Sequence, residues 1–166
     1  MACSIKNGFL YQEGQRVQYQ ESPNHGGPIE PELIVVHYTG DNGTGGLEWL
    51  CSRKSKVSAH FWISKQGEII QLLPCNVRGW HAGASSWDGR GDCNSWSVGI
   101  ENQGTGDEWP EAQVKANIDV IIALHMAYKI QATVGHEDVA PGRKVDPGPN
   151  FPWDKVGAAL KEAGIQ

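Results

Sequence analysis

The stretch Leu33-Ile34-Val35-Val36 is an unbroken run of apolar residues, closed by His37. A strand with one wet face alternates apolar and polar residues, whereas a continuous apolar run marks a strand buried on both faces. A sheet built round such a strand must be covered on both sides. The expected fold is therefore α/β, with a central mixed β-sheet flanked by helices. The 166 residues suit one domain with a single core, spanning 1–166.

The rest of the chain fits that frame. Residues 1–31 are polar and carry Pro23, Gly26, Gly27, Pro28 and Pro31, and read as an extended lead-in wrapped on the domain. A glycine-rich loop follows His37, then a short helix over 47–52. Strands are expected at 61–64 and 68–73, joined by Lys65-Gln66-Gly67 as a hairpin. Residues 74–95 read as a long loop, a length that is commonly functional. A strand over 97–102 precedes the clearest helix, 111–129, with Pro110 at its start and Val114, Ile118, Ile121, Ile122 and His125 on its buried face. A brief strand at 133–136 and a terminal helix over 154–163, closed by Gly164, complete the chain.

Charge and composition exclude several functions. A net charge of −5 argues against a nucleic-acid partner, which needs a basic surface, and offers no attraction to an anionic membrane. No apolar run approaches a membrane span, so no membrane insertion is expected. The opening Met1-Ala2-Cys3-Ser4-Ile5-Lys6 lacks the long apolar core of a secretory signal, and synthesis in the cytoplasm is expected. Cys3, Cys51, Cys75 and Cys93 are widely and irregularly spaced, with no Cys-x-x-Cys, which favours free thiols over a disulfide framework or a zinc knuckle.

The chemistry concentrates in residues 135–149, where His136, Lys144 and Asp146 lie in a segment punctuated by glycine and proline. Such a loop holds side chains in a fixed array at little entropic cost. With His37, the segment offers two histidines and a carboxylate from separate elements. That is the ligand set of a hydrolytic zinc site, whose fourth position is left for water. Taken singly, each residue also has a plain structural role: a histidine closing a strand can bond backbone, and Asp146 can cap the turn before Pro147.

Longer motifs narrow the choice. Val35-Val36-His37-Tyr38-Thr39, Val57-Ser58-Ala59-His60-Phe61, Gly79-Trp80-His81-Ala82-Gly83, Asn94-Ser95-Trp96-Ser97-Val98-Gly99-Ile100-Glu101 and Gly142-Arg143-Lys144-Val145-Asp146-Pro147-Gly148-Pro149 occur in that order. Together they resemble the zinc N-acetylmuramoyl-L-alanine amidases, a family that includes short phage lysozymes, muropeptide-recycling amidases and peptidoglycan recognition proteins. The resemblance spans about residues 33–155. It implies a peptidoglycan-recognition-protein-like fold and one zinc ion per chain on His37, His136 and Asp146; some relatives have Cys at the third ligand. It also implies Lys144 as stabiliser of the oxyanion and Glu101 as general base. Certain relatives use a Tyr on the strand after Ala-His, but Phe61 stands there and has no proton to exchange. Trp80 and His81 are implied as substrate contacts, and His60 and His125 are assigned to structure.

The implied reaction is hydrolysis of the amide between N-acetylmuramic acid and L-alanine in peptidoglycan or a muropeptide, by a monomer. The short stretch from Thr39 to Val57 favours a phage endolysin acting on the wall after holin-type release. The alternative is a cytoplasmic amidase that recycles anhydromuropeptides, towards which the acidic charge leans. A module that binds peptidoglycan without cutting it is disfavoured, because all three zinc ligands are present.

Overall fold

The computed structural model describes residues 2–165. The central sheet has six strands. In chain order these are β4 (Gln18–Tyr19), β5 (Leu33–Tyr38), β6 (Phe61–Ile63), β7 (Ile69–Gln71), β10 (Ser97–Asn102) and β11 (Ala132–Gly135), and they lie side by side as β11-β5-β10-β6-β7-β4. β11, β5, β10 and β6 run parallel, and β7 turns back antiparallel to β6, so the sheet is mixed. The α-helices are α1 (Gly45–Leu50), α2 (Glu111–Ala127), α3 (His136–Val139) and α4 (Trp153–Glu162).

The apolar run behaves as its pattern requires. Leu33, Ile34, Val35 and Val36 are all fully buried. Ile34 and Val36 enter one cluster with Val98, Ile100, Phe61 and Ile63 of the sheet and Val120, Ile121 and Leu124 of α2. Leu33 and Val35 point the other way, into a smaller cluster with Cys93, Trp96, Val134 and Val139. A third cluster on Leu47 and Leu50 of α1 covers Trp62 and Ile70. One face of the sheet therefore carries a continuous core, while the other is covered by two separate patches.

Helix α2 is less amphipathic than its sequence implies. Ile118, Ile122 and His125 are only half-buried, while Gln113 and Asn117 are fully buried. The donors of the polar pair are satisfied: Gln113 Nε2 donates to the carbonyls of Ile63 and Gln103, and Asn117 Nδ2 donates to Asn102 Oδ1 at 2.7 Å, while Gln113 Oε1 is left without a partner. Burial costs such groups little once they are hydrogen-bonded.

The first 31 residues hold more regular structure than their turn-rich composition predicts. β1 (Cys3–Lys6), β2 (Phe9–Gln12) and β3 (Gln15–Arg16) form an antiparallel meander, and Cys3 and Ile5 pack against the main core. Leu10 is fully buried, and its N–H donates to Gln71 Oε1 at 2.9 Å while Gln71 Nε2 donates to the Gly8 carbonyl. The segment 74–95 also carries structure: a hairpin of β8 (Ser86–Trp87) and β9 (Arg90–Gly91), then a 3-10 turn at Cys93–Ser95. The hairpin turn is Asp88-Gly89, with φ of 50° and 80°, the left-handed pair a two-residue type I′ turn needs. All four cysteines are free thiols.

Because Leu10 fills the main core from the lead-in, Leu10→Ala should lower unfolding free energy by about 2–5 kcal/mol. Urea denaturation of the full chain measures this. A loss within the range of surface substitutions would show that the meander is not part of the cooperative core.

Candidate active site

β5 and β10 are the sheet's central parallel pair, in register Val35↔Gly99, Val36↔Ile100, Glu101↔His37. Neighbouring residues on paired strands share a face, so His37 and Glu101 stand side by side at the C-terminal end of the sheet. They lie on the face of Leu33 and Val35, where the two smaller clusters leave a gap. His136 arrives from the end of β11, as the first residue of α3; Asp138 Oδ2 accepts from the Gly135 N–H and caps that turn. Asp146 is brought back by the following loop, where the Glu137 N–H donates to the Asp146 carbonyl at 2.9 Å.

The three side chains converge. His37 Nδ1 lies 3.0 Å from His136 Nδ1 and 3.2 Å from Asp146 Oδ2, and His136 Nδ1 lies 3.3 Å from Asp146 Oδ1. One donor atom from each residue falls within 4.8 Å of the others, and all three residues are buried. His136 Nε2 lies 3.1 Å from the Ala82 carbonyl. A carbonyl can only accept, so Nε2 carries a proton and Nδ1 is the nitrogen left to face a cation. Burial pushes His37 down to about 4, favouring the neutral ring. Burial would raise Asp146, but its close contacts with His136 and His37 outweigh burial and hold the carboxyl well below its usual range. Two imidazole nitrogens and a carboxylate aimed at one point suit a divalent cation.

All seven residues singled out in the sequence line one cleft of about 210 Å³. A larger cavity of about 450 Å³ beside the end of α2 contains none of the converging donors. Glu101 has a buried Oε1 with no hydrogen-bond partner. Burial first, and then the negative charge of Asp146, push its pKa well above the carboxylate range, while Lys144 pulls it back. Trp80 is half-buried on the cleft wall, its N–H donating to Ser58 Oγ. His81 is buried, with His37 Nε2 3.1 Å from its Nδ1 and Ser97 Oγ 3.3 Å from its Nε2. Its sequence gives no sign of this inward turn. His60 is a core residue: its Nδ1 accepts from the Gly99 N–H and its Nε2 lies 2.7 Å from the Val77 carbonyl. His125 reaches Thr133 Oγ1 on β11.

The family described as N-acetylmuramoyl-L-alanine amidase matches residues 26–149. The 1,6-anhydro-N-acetylmuramyl-L-alanine amidase AmpD of Enterobacter cloacae is 41% identical over 181 aligned positions, covering 94% of each chain. That alignment is longer than this chain's 166 residues, so the relative carries segments absent here. The enzyme of the same name from Citrobacter freundii is 44% identical over 108 residues, 63% of this chain and 58% of that relative. A crystal structure of a selenomethionine AmpD derivative superposes with a TM-score of 0.80 at 34% identity, covering 93% of this chain and 98% of that one. The amidase AmiD of Escherichia coli, solved with anhydro-N-acetylmuramic acid-L-Ala-D-gamma-Glu-L-Lys, gives 0.71 at 28% identity, covering 99% and 66%.

The environment of Glu101 has a consequence for stability. Its folded pKa is raised, so the stability it contributes is present below the unfolded pKa and is lost as pH rises towards the folded one. In chelator-treated protein, the melting temperature of Glu101→Gln should therefore gain on wild type as pH rises from the ordinary carboxylate range through neutrality. A difference that stays flat across that range would mean that Glu101 ionises freely in the fold.

Proposed function

The chain belongs to the N-acetylmuramoyl-L-alanine amidase family, and on that footing we propose that it hydrolyses the amide between N-acetylmuramic acid and L-alanine in a soluble anhydromuropeptide. The observation that carries this reading is the meeting, in one cleft, of three metal-donor atoms with a buried, unpartnered carboxylate. One zinc ion per chain fits the donors: His37, His136 and Asp146 would hold it and leave a fourth position open. Zinc in such a set acts as a Lewis acid and makes hydroxide available near neutral pH.

The chain's own residues supply the rest. Glu101, whose buried Oε1 has no other partner, would take a proton from the attacking water and return it to the departing alanine nitrogen once a bound cation offsets the burial that keeps its carboxyl protonated. The Lys144 ammonium, on the same rigid loop as Asp146, stabilises the negative charge that develops on the carbonyl oxygen. Trp80 offers an aromatic face along the wall for the sugar or the stem peptide.

Recycling is preferred to wall lysis because the likeness to the Enterobacter cloacae relative runs over almost the whole of both chains, and that relative is named for an anhydromuramyl substrate. This reverses the preference drawn from the short Thr39–Val57 stretch. Loop length alone leaves the donors and the base unchanged, so it is a weak guide to substrate. No described helix is long and apolar enough to cross a membrane, and we place the reaction in the cytoplasm, where soluble muropeptides are met.

The full chain should purify with one zinc, and His37→Ala, His136→Ala and Asp146→Ala should each lose both metal and activity. Incubated with soluble anhydromuropeptide and with intact sacculi, it should release stem peptide from the first far faster, as mass spectrometry of the products would show. Faster cleavage of sacculi would restore the lytic reading, and cleavage of neither would favour a binding module. Glu101→Gln should lower kcat by about 10²–10⁴ with zinc retained. Lys144→Ala should lower it by about 10²–10³, and a change confined to KM would make Lys144 a ground-state binding residue instead.

A further inference from the structure

Both histidines of the donor cluster are held from behind by two consecutive residues. His37 Nε2 meets His81 Nδ1 at 3.1 Å, and His136 Nε2 meets the Ala82 carbonyl at 3.1 Å. The carbonyl fixes the proton of His136 on Nε2, leaving its Nδ1 bare. His37 Nδ1 must also be bare if both rings face one cation across 3.0 Å. Its proton is then on Nε2 and is donated to His81 Nδ1. His81 in turn carries its proton on Nε2, where Ser97 Oγ at 3.3 Å can accept it. Every proton in the chain from His37 to Ser97 has a place.

The pair is itself clamped. Asn94, buried on the 3-10 turn, accepts at Oδ1 from the N–H groups of both His81 and Ala82, at 3.0 and 2.9 Å. Arg143, from the loop that carries Asp146, donates through Nη2 to the carbonyls of Ala82 and Ala84. Space for the His81 ring comes from β10: a Cβ on Gly99 would lie 2.5 Å from His81 Cγ. The ring stands edge-on to that of His37, with centroids 5.1 Å apart.

We propose that the His81–Ala82 pair, clamped by Asn94 and seated on Gly99, is an orienting shell that fixes the tautomer and tilt of His37 and His136 towards the metal. His81 is then a positioning residue and not a substrate contact, and Asn94 positions both ligands without touching either. The proposal rests on the zinc reading above. Partners of this kind set ligand basicity and ring orientation, and their loss typically weakens metal binding about 10–100-fold.

The test uses the full chain, zinc and a competing chromogenic chelator. Asn94→Ala and His81→Ala should raise the zinc dissociation constant by about 10–100-fold. Asn94→Asp keeps the acceptor, and His81→Asn places an oxygen where Nδ1 was, so each should recover most of the affinity. In cobalt-substituted protein, the visible d–d spectrum should change in the two alanine variants and return in the conservative ones. A purely structural role would lower the melting temperature of the metal-free variants and leave the zinc dissociation constant unchanged, which would overturn the proposal. Should the alanine variants not fold, nitrogen-labelled histidine NMR of zinc-loaded wild type decides. His37 and His136 should be protonated at Nε2 and His81 bare at Nδ1; a proton on His81 Nδ1, or zinc on His37 Nε2, would refute it. Wild type that binds no zinc overturns this proposal and the zinc reading together, whereas zinc-bound wild type with unaffected variants overturns this one alone.

Discussion

The parallel pairing of β5 with β10 is the constraint on which the other features depend. It sets Glu101 beside His37, and a slip of one residue would turn one of the two to the opposite face. The register is held from both directions. Ile34, Val36, Val98 and Ile100 share the main core, so a slip would bury the wrong set. At the end of the pair, Asn102 Nδ2 donates to the His37 carbonyl and to Asn117 Oδ1. The buried polar face of α2 thus ties off the strand that carries His37, which accounts for the poor amphipathicity of that helix.

The asymmetry of the two sheet faces follows from the same pair. On the face of Ile34 and Val36 the core is continuous. On the face of Leu33 and Val35, β10 presents Ser97, Gly99 and Glu101, which give a hydrophobic layer nothing to pack on. The cover therefore divides into one patch on Trp96 and Val139 and another on α1. The cleft lies between them because the central strand stops being apolar on that side. The residues that break the core, Gly99 and Glu101, are the ones that seat His81 and line the cleft.

Much of this was legible in the sequence, and what was not has physical causes. The run at 33–36 signals a doubly buried strand because its period is absent, and the 61–73 hairpin announces itself by apolar runs about a glycine turn. The converging donors could be named because the motifs that carry them resemble a zinc amidase family; the residues alone left each with a plain structural role, and His37 on β5 lies far in sequence from the segment of His136 and Asp146. The meander at 3–16 was missed because its strands are short and mostly exposed on one side, with Leu10 as the main anchor. The β8–β9 hairpin was missed although Asp88-Gly89 is a strong turn signal, because its two-residue strands carry no alternation. His81 illustrates a deeper limit. Its motif places it beside the substrate wall, but whether a side chain turns in or out depends on a glycine on another strand.

Charge bears on which substrate such a cleft would meet. The chain carries a net −5, and anionic wall polymers are extended arrays of the same sign. Repulsion from an array acts along its whole length and slows encounter, whereas a small soluble fragment is felt only within about 8 Å at physiological ionic strength. Beside the three converging side chains the balance is local: burial and then the charge of Asp146 raise the pKa of Glu101, and Lys144 lowers it. Nothing in that local balance distinguishes polymer from fragment, so selection between them falls to the surface around the cleft.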